Sequence, residues 1–286
     1  MTAAIRSRFH DDGFVVLNGA LPEDLVRSMV EAADNMLGRA AVAGIADDPI
    51  FEFEPGTRTV QRIKRPHAVH PFFGVLVRSP QLLDLVEPLI GPHIRLHSSK
   101  INVKAARIGS LLEWHQDWAF VPHSNLDLVI VGITIDHCGA DSGPMLLLPG
   151  SHKLGLINHH HDGVFYGAID VAAQGLSLDR AVAVIGPPGT ISIHHPLMVH
   201  GSGANRTQQP RRMLFLEFAA ADAWPLYCEV DWDEYDSRIL RGPSCNTARL
   251  EPAPVKMPFP RAAQGVVYNV QQNFAKKHFR AENEGR

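Results

Sequence analysis

"LEWHQDWAFVPHSNLDLVIVGITID", residues 112–136, decides how this chain is read. Its first half sets His115 and Asp117 two residues apart between Trp114 and Trp118. Its second half is an apolar, β-branched run bounded by polar residues. On extended backbone, side chains i and i+2 point the same way. His-x-Asp on one strand is therefore a preformed two-jawed clamp. The bare tripeptide also fits a polar surface strand, so the surrounding chain has to supply the meaning.

Working outward, short strand-like runs recur downstream: "IRLHSSKINV" (94–103), "GPMLLLPGS" (143–151), "AVAVIGPPGTISIHH" (181–195) and "RRMLFLEFAA" (211–220). Gly, Pro, Asn and Asp turns separate them, the pattern of a sandwich or barrel. Upstream, residues 4–19 read as a short helix leading into the strand "GFVVLNG". "LPEDLVRSMVEAADNMLGRA" (21–40) reads as an amphipathic helix with apolar residues at three- to four-residue spacing, and 41–66 as a loop-rich stretch. "SPQLLDLVEPLIG" (79–91) is a second helix, with Ser at its cap and Gly91 at its end. The expectation is mainly β with flanking helices in one domain, 1–286. A helical part occupies about 1–92, a β core about 93–220 and a C-terminal extension 221–286. The tail "FAKKHFRAENEGR" reads as polar and frayed.

Bulk properties exclude several classes. A formal net charge of −3 argues against a nucleic-acid binder. No run reaches the ~18 apolar residues of a membrane span, and the N-terminus lacks a signal-peptide core. Three cysteines, Cys138, Cys228 and Cys245, form no C-x-x-C pair, so neither a disulfide framework nor a thiolate zinc site is expected. A reduced, cytoplasmic setting follows. Sixteen histidines raise the expectation of metal chemistry.

A third ligand candidate is His200, at the end of an apolar run and just before "GSG". Two imidazoles and one carboxylate are the facial triad of non-haem Fe(II), which leaves positions for a cosubstrate and O2. Zinc accepts the same ligand types. A 2-oxo acid cosubstrate chelates iron through its keto oxygen and one carboxylate, and its far carboxylate needs a fixed cationic fork. Arg211 stands eleven residues after His200, and Ser202 adds a hydroxyl.

This order of residues resembles the Fe(II)/2-oxoglutarate oxygenases of the phytanoyl-CoA dioxygenase family. The likeness runs from about Leu83 to Phe218 and back to "FHDDGFVVLNG". Its wording is "WHQDWAFVPHSNLDLV", "DSGPMLLLPGSHKLG" and "HGSGANRTQQPRR". The resemblance implies a double-stranded β-helix, the jelly-roll or cupin-like fold. It implies that His115, Asp117 and His200 bind Fe(II), and that Arg211 with Ser202 holds the C5 carboxylate of 2-oxoglutarate. It places Thr134 along the cosubstrate pocket and Ile133 where some members carry a tryptophan. Ser99 and Asn102, on the preceding strand, are expected to face the same pocket. Halogenating relatives replace the carboxylate with a small residue, so Asp117 favours hydroxylation, with succinate and CO2 as coproducts.

The substrate is less legible. The basic run Arg58, Arg62, Lys64 and Arg65, followed by His67 and His70, fits a solvated face. It equally fits a cationic mouth for a phosphonate, phosphate or carboxylate, which Lys100 and Lys104 would join. Trp118 and Phe120 are pocket walls or simple core. Strand alternation puts His194 on the face of His200, near substrate or packed in the rim, and turns His195 away. "NHHHDG" (158–163) reads as a solvated loop. The expected partner is a small anionic or zwitterionic molecule, neither nucleic acid nor membrane. An acyl-CoA hydroxylase, a non-catalytic cupin-like protein and a zinc-dependent one are the alternatives. No P-loop or G-x-S-x-G element is present, and the oligomeric state stays open.

Overall fold

In the computed structural model, which describes residues 2–42, 48–107, 111–253, 255–257, 267–272 and 274–279, the apolar runs become strands of two facing sheets. The chain opens with α1 (Thr2–Asp12), β1 (Phe14–Leu17), α2 (Glu23–Ala40), β2 (Phe51–Phe53) and β3 (Val60–Lys64). Three helices follow, α3 (Pro66–Val69), α4 (Pro71–Leu76) and α5 (Pro80–Ile90). Then come β4 (Ile94–Lys104), β5 (Leu112–His115), β6 (Leu128–Thr134), β7 (Met145–Leu147), β8 (His160–His161), β9 (Val164–Phe165) and β10 (Val182–Ala183). The chain finishes with β11 (Ile191–His194), β12 (His200–Ser202), β13 (Arg211–Ala220), α6 (Trp232–Ser237), β14 (Ile239–Arg241) and α7 (Val267–Gln271).

The larger sheet runs β1-β11-β6-β13-β4-β3-β2, with β14 also on β4; the smaller runs β10-β7-β12-β5. The pairings in both are antiparallel. Two such sheets closed face to face are a double-stranded β-helix.

Alternation along β6, β11 and β13 explains why these runs are nearly all apolar. One face carries Val129, Val131, Ile133, Ile191, Ile193, Leu214, Leu216 and Phe218. It packs under Met29, Ala33 and Met36 of α2 and Leu82, Val86 and Ile90 of α5. The other face looks into the barrel, where Ile130, Met213 and Phe215 meet Met145 and Leu147 of the smaller sheet. With both faces covered, no polar stripe remains to mark a solvent side. Ile133 therefore lies on the helical side. At Gly132 a Cβ would stand 2.7 Å from Ser192 Oγ and 2.8 Å from Met213 Cε, so the strands approach where no side chain fits.

Three local expectations change. The stretch 41–66 holds a hairpin, β2–β3, that extends the larger sheet through Arg62↔Asn102 and buries Phe51 and Ile63; residues 43–47 lie outside the described residues. Its pairing partner is a distant strand, which local pattern does not reveal, and β1–β3 thereby join the β core rather than a separate helical part. Next, β5 stops at His115, and Asp117 opens a 3-10 turn, Asp117–Ala119, tied down by Trp118 N–H donating to Pro196 O at 2.9 Å. Gln116 stays extended (φ −122°, ψ 132°), so the shared direction of His115 and Asp117 survives. Finally, the tail packs as far as Phe279, whose ring stacks on Trp114 at 5.6 Å. The rest of the tail lies outside the described residues. Among the described residues no helix is long and apolar enough to cross a membrane, and the three cysteines are free.

Candidate active site

The β5–β12 register sets His115 directly opposite His200, with ring centroids 4.1 Å apart. His115 Nδ1 lies 2.8 Å from Glu113 O, and His200 Nδ1 lies 3.0 Å from Met198 O. A carbonyl only accepts, so each Nδ1 carries the hydrogen and each Nε2 presents a lone pair. Asp117 Oδ1 is 3.8 Å from His115 Nε2, and Oδ2 is 3.7 Å from His200 Nε2. One donor atom from each of the three residues falls within 4.8 Å of the others. Burial pushes His115 well below its ordinary pKa and His200 down to about 4, keeping both imidazoles neutral. At Asp117 burial acts upward, yet the hydrogen bond from His194 and the nearby charge of Lys100 help to hold its carboxyl well below the usual carboxylate range. Two neutral nitrogens and one carboxylate converging on a point fit Fe(II).

The three residues are themselves held. His194, on the inner face of β11, places Nε2 3.2 Å from Asp117 Oδ2, behind the carboxylate rather than along the cavity. Gln116, between His115 and Asp117 and fully buried, makes four hydrogen bonds. Its amide donates to Gly155 O (2.8 Å) and Leu197 O (2.7 Å), its Oε1 accepts from Ile157 N–H (2.8 Å), and its own N–H donates to His159 Nε2 (2.9 Å). His159 Nδ1–H donates to Ile157 O at 2.8 Å. The "NHHHDG" tract is thus no solvated loop at His159. That imidazole is buried because both nitrogens find partners, and it fixes the backbone between His115 and Asp117. Nothing in the local sequence separates it from its half-buried neighbours His160 and His161.

Beside the triad opens a small cavity lined by Arg62, Lys100, Asn102, Lys104, Ser202, Arg211 and Tyr268 among others. Arg211 and Lys104 are register partners. Among the described residues neither has a carboxylate at ion-pair distance. Lys104 Nζ donates to the carbonyls of Ser202 and Gly203, and Arg211 donates to Gly143 O while its Nε has no partner. Burial presses the pKa of both downward. Two buried cations without a counter-ion are costly, so this end of the cavity is built for an anion. Arg212, one residue on, faces the opposite way, to Asp136 (2.6 Å) and Asp34.

The remaining candidates divide. Asn102 lines the cavity, its Oδ1 accepting from Arg62 Nε at 3.0 Å. Thr134 shares the inner face of β6, but its hydroxyl donates to Pro187 O at 2.7 Å and it does not line the cavity. Ser99 faces the helical side, 2.5 Å from His67 Nδ1. Trp118 is wholly buried in a separate cluster with Leu128 and Leu197, and Phe120 packs edge-on against His115. Lys64 pairs with Glu52 at 3.3 Å along an outer groove that shares Arg62 and Lys100 with the inner cavity. Sequence reading missed Tyr268 altogether. It comes from α7, which Gln271 docks on β5 by accepting from Glu113 N–H at 2.8 Å; the only signal was aromatic residues in an otherwise polar tail.

A double-stranded β-helix with a two-His, one-carboxylate centre beside an anion pocket defines a class: the non-haem iron oxygenases that use a 2-oxo acid. Residues 9–213 match the model of the phytanoyl-CoA dioxygenase family. The chain is 33 % identical over 289 residues, 98 % of itself and 100 % of the relative, to a "Probable alpha-ketoglutarate-dependent hypophosphite dioxygenase" of Stutzerimonas stutzeri. It is 25 % identical to an ectoine dioxygenase of Sphingopyxis alaskensis, over 77 % of this chain and 76 % of that one. The crystal structure of EctD from S. alaskensis with 2-oxoglutarate and 5-hydroxyectoine superposes with a TM-score of 0.67 at 26 % identity, covering 77 % of each chain. The chain belongs to the phytanoyl-CoA dioxygenase family and is an Fe(II)- and 2-oxoglutarate-dependent dioxygenase.

Proposed function

We propose that this dioxygenase acts in the cytoplasm on a compact oxyanion of the hypophosphite or short phosphonate kind. The observation that carries the reading is the surplus of positive charge lining the cavity. Arg62, Lys100, Lys104 and Arg211 face it, against Asp117, the Glu217 that pairs with Lys100 and the Glu52 that Arg62 shares with Lys64. The charges of Fe(II) and 2-oxoglutarate offset each other, so the surplus persists after both bind and suits an anionic substrate. The relative that matches end to end is described as acting on hypophosphite, which agrees.

In this reading His115, Asp117 and His200 hold the metal, and Arg211, Lys104 and Ser202 hold the distal carboxylate of 2-oxoglutarate. When bound, iron and cosubstrate supply the oxidising power: 2-oxoglutarate loses CO2, one oxygen atom of O2 ends in succinate, and the other is inserted into a P–H or aliphatic C–H bond of the substrate. The chain orients both small molecules by charge. Val267 and Tyr268 help wall the cavity from water.

The test is anaerobic titration of the Fe(II)-loaded protein with 2-oxoglutarate, followed by its weak visible charge-transfer band. Arg211→Ala should weaken binding by about 2 kcal/mol or more, some thirtyfold. An unchanged band in that variant removes Arg211 from the cosubstrate site. Succinate release is then screened with hypophosphite, a short alkylphosphonate, L-proline and ectoine. Release with the zwitterions and not with the anions overturns the substrate reading.

A further inference from the structure

We infer that Arg62, Lys100 and Tyr268 form a second anion-binding subsite, distinct from the Lys104–Arg211 pair, that grips the anionic head of the substrate; this rests on the reading just given. On β4, Lys100, Asn102 and Lys104 share the inner face, with Lys104 opposite Arg211 and Lys100 opposite Phe215. Four residues of strand set the two lysines about 13 Å apart at the backbone. Their side chains are drawn to opposite ends. Lys104 Nζ binds the carbonyls of Ser202 and Gly203, and Lys100 Nζ binds Glu217 Oε1 at 2.7 Å. 2-Oxoglutarate spends one carboxylate on chelation, so its distal carboxylate can occupy one pole only. Ser202, two residues from the ligand His200, belongs to the Arg211 pole. The Lys100 pole is left for another anion.

Arg62 reinforces that pole. It pairs with Asn102 across β3–β4, which makes Lys100 its diagonal neighbour on the same face. Asn102 Oδ1 accepts from Arg62 Nε at 3.0 Å and so sets the guanidinium plane, whose carbon lies 5.6 Å from the centre of the Tyr268 ring. The ion-pair partner of Arg62 among the described residues, Glu52, is 3.8 Å from Nη1 and is shared with Lys64. Arg62 and Lys100 border both the inner cavity and the outer groove, so they stand at the neck between the two. A guanidinium fork, an ammonium and a phenol hydroxyl together match the oxygens of a compact phosphorus oxyanion.

The experiment uses the full chain loaded with Fe(II) and 2-oxoglutarate under anaerobic conditions. Hypophosphite and a short alkylphosphonate are titrated in, and the shift of the charge-transfer band is read. Arg62→Gln and Lys100→Gln should each weaken the anion response tenfold or more while leaving 2-oxoglutarate affinity within twofold. Lys104→Met should do the reverse. Tyr268→Phe keeps the ring and the fold and should weaken the anion response several-fold. If Arg62→Gln weakens 2-oxoglutarate instead, or leaves the anion response unaltered, the subsite is wrong. If no anion shifts the band of the unaltered protein while 2-oxoglutarate still binds, the subsite falls and the dioxygenase stands. If the band never forms, both fall.

Discussion

Around Asp117, two carboxylate oxygens have three imidazoles to satisfy. Oδ2 lies 3.2 Å from His194 Nε2 and 3.7 Å from His200 Nε2, while Oδ1 lies 3.8 Å from His115 Nε2. His194 is wholly buried and its Nδ1 has no partner, so the tautomer with hydrogen on Nε2 donates to Oδ2. That bond fixes the carboxylate plane and leaves Oδ1 the freer ligand. Removing such an orienting partner typically lowers metal affinity about 10- to 100-fold. His194→Phe should therefore weaken Fe(II) binding tenfold or more in anaerobic titration, and His194→Gln, which keeps a donor, should recover much of it. Equal affinity in the Phe variant would remove His194 from the metal centre. The neighbouring pair Arg211 and Arg212 shows the same dependence on which way a side chain points. Strand alternation on β13 sends the first into the cavity and the second to Asp136 and Asp34.

Two elements govern how well the cavity is closed. The turn at Gly143 has φ +69°, and a Cβ there would stand 2.7 Å from Gly203 O and 2.9 Å from Ala204 O. A left-handed backbone costs an L-residue about 1–2 kcal/mol before that clash with backbone is counted. Gly143→Ala should therefore lower stability by about 2 kcal/mol or more in urea unfolding. It should also weaken 2-oxoglutarate binding, because Gly143 O is the acceptor for Arg211. The second element is the C-terminal segment, pinned by Gln271 on β5, by His278 N–H donating to Glu113 Oε2 at 2.9 Å, and by Phe279 stacked on Trp114. Phe279→Ala should cost about 3 kcal/mol, the low end for a buried phenylalanine. It should also increase proteolysis near Tyr268, and an unchanged cleavage pattern would show that the stack does not hold the segment down.

Across the whole molecule, buried histidines tie stability to pH. Burial lowers His159 to about 4 and His195 to about 3, from an ordinary value of 6.5. Between those values the unfolded chain binds protons that the folded chain refuses. Stability is therefore unaffected by these groups above about pH 7 and falls as pH drops through 6.5 toward 4. Each such histidine contributes a slope of up to roughly 1.4 kcal/mol per pH unit. Urea midpoints of the metal-free protein at pH 7.5, 6 and 5 should fall in that order. A flat series would mean that the imidazoles gain protons in the fold.

The sequence by itself determined the chemistry and most of the strands. His115 and Asp117 are two apart, and apolar runs announce buried strands, so both signals sit within a few residues of chain. The order His-x-Asp, His, Arg then carried the class. Tertiary structure alone decided the strands β2 and β3, which turned a supposed loop into part of the sheet, with Arg62 on β3. It also decided the buried roles of His159 and His194 and the arrival of Tyr268 over the cavity. Those depend on pairing between distant segments: Gln271 reaches Glu113 across 158 residues, and His194 reaches Asp117 across 77. A contact of that kind is fixed by sheet register and by what space remains once the core has packed, and neither is written in any local stretch of the chain.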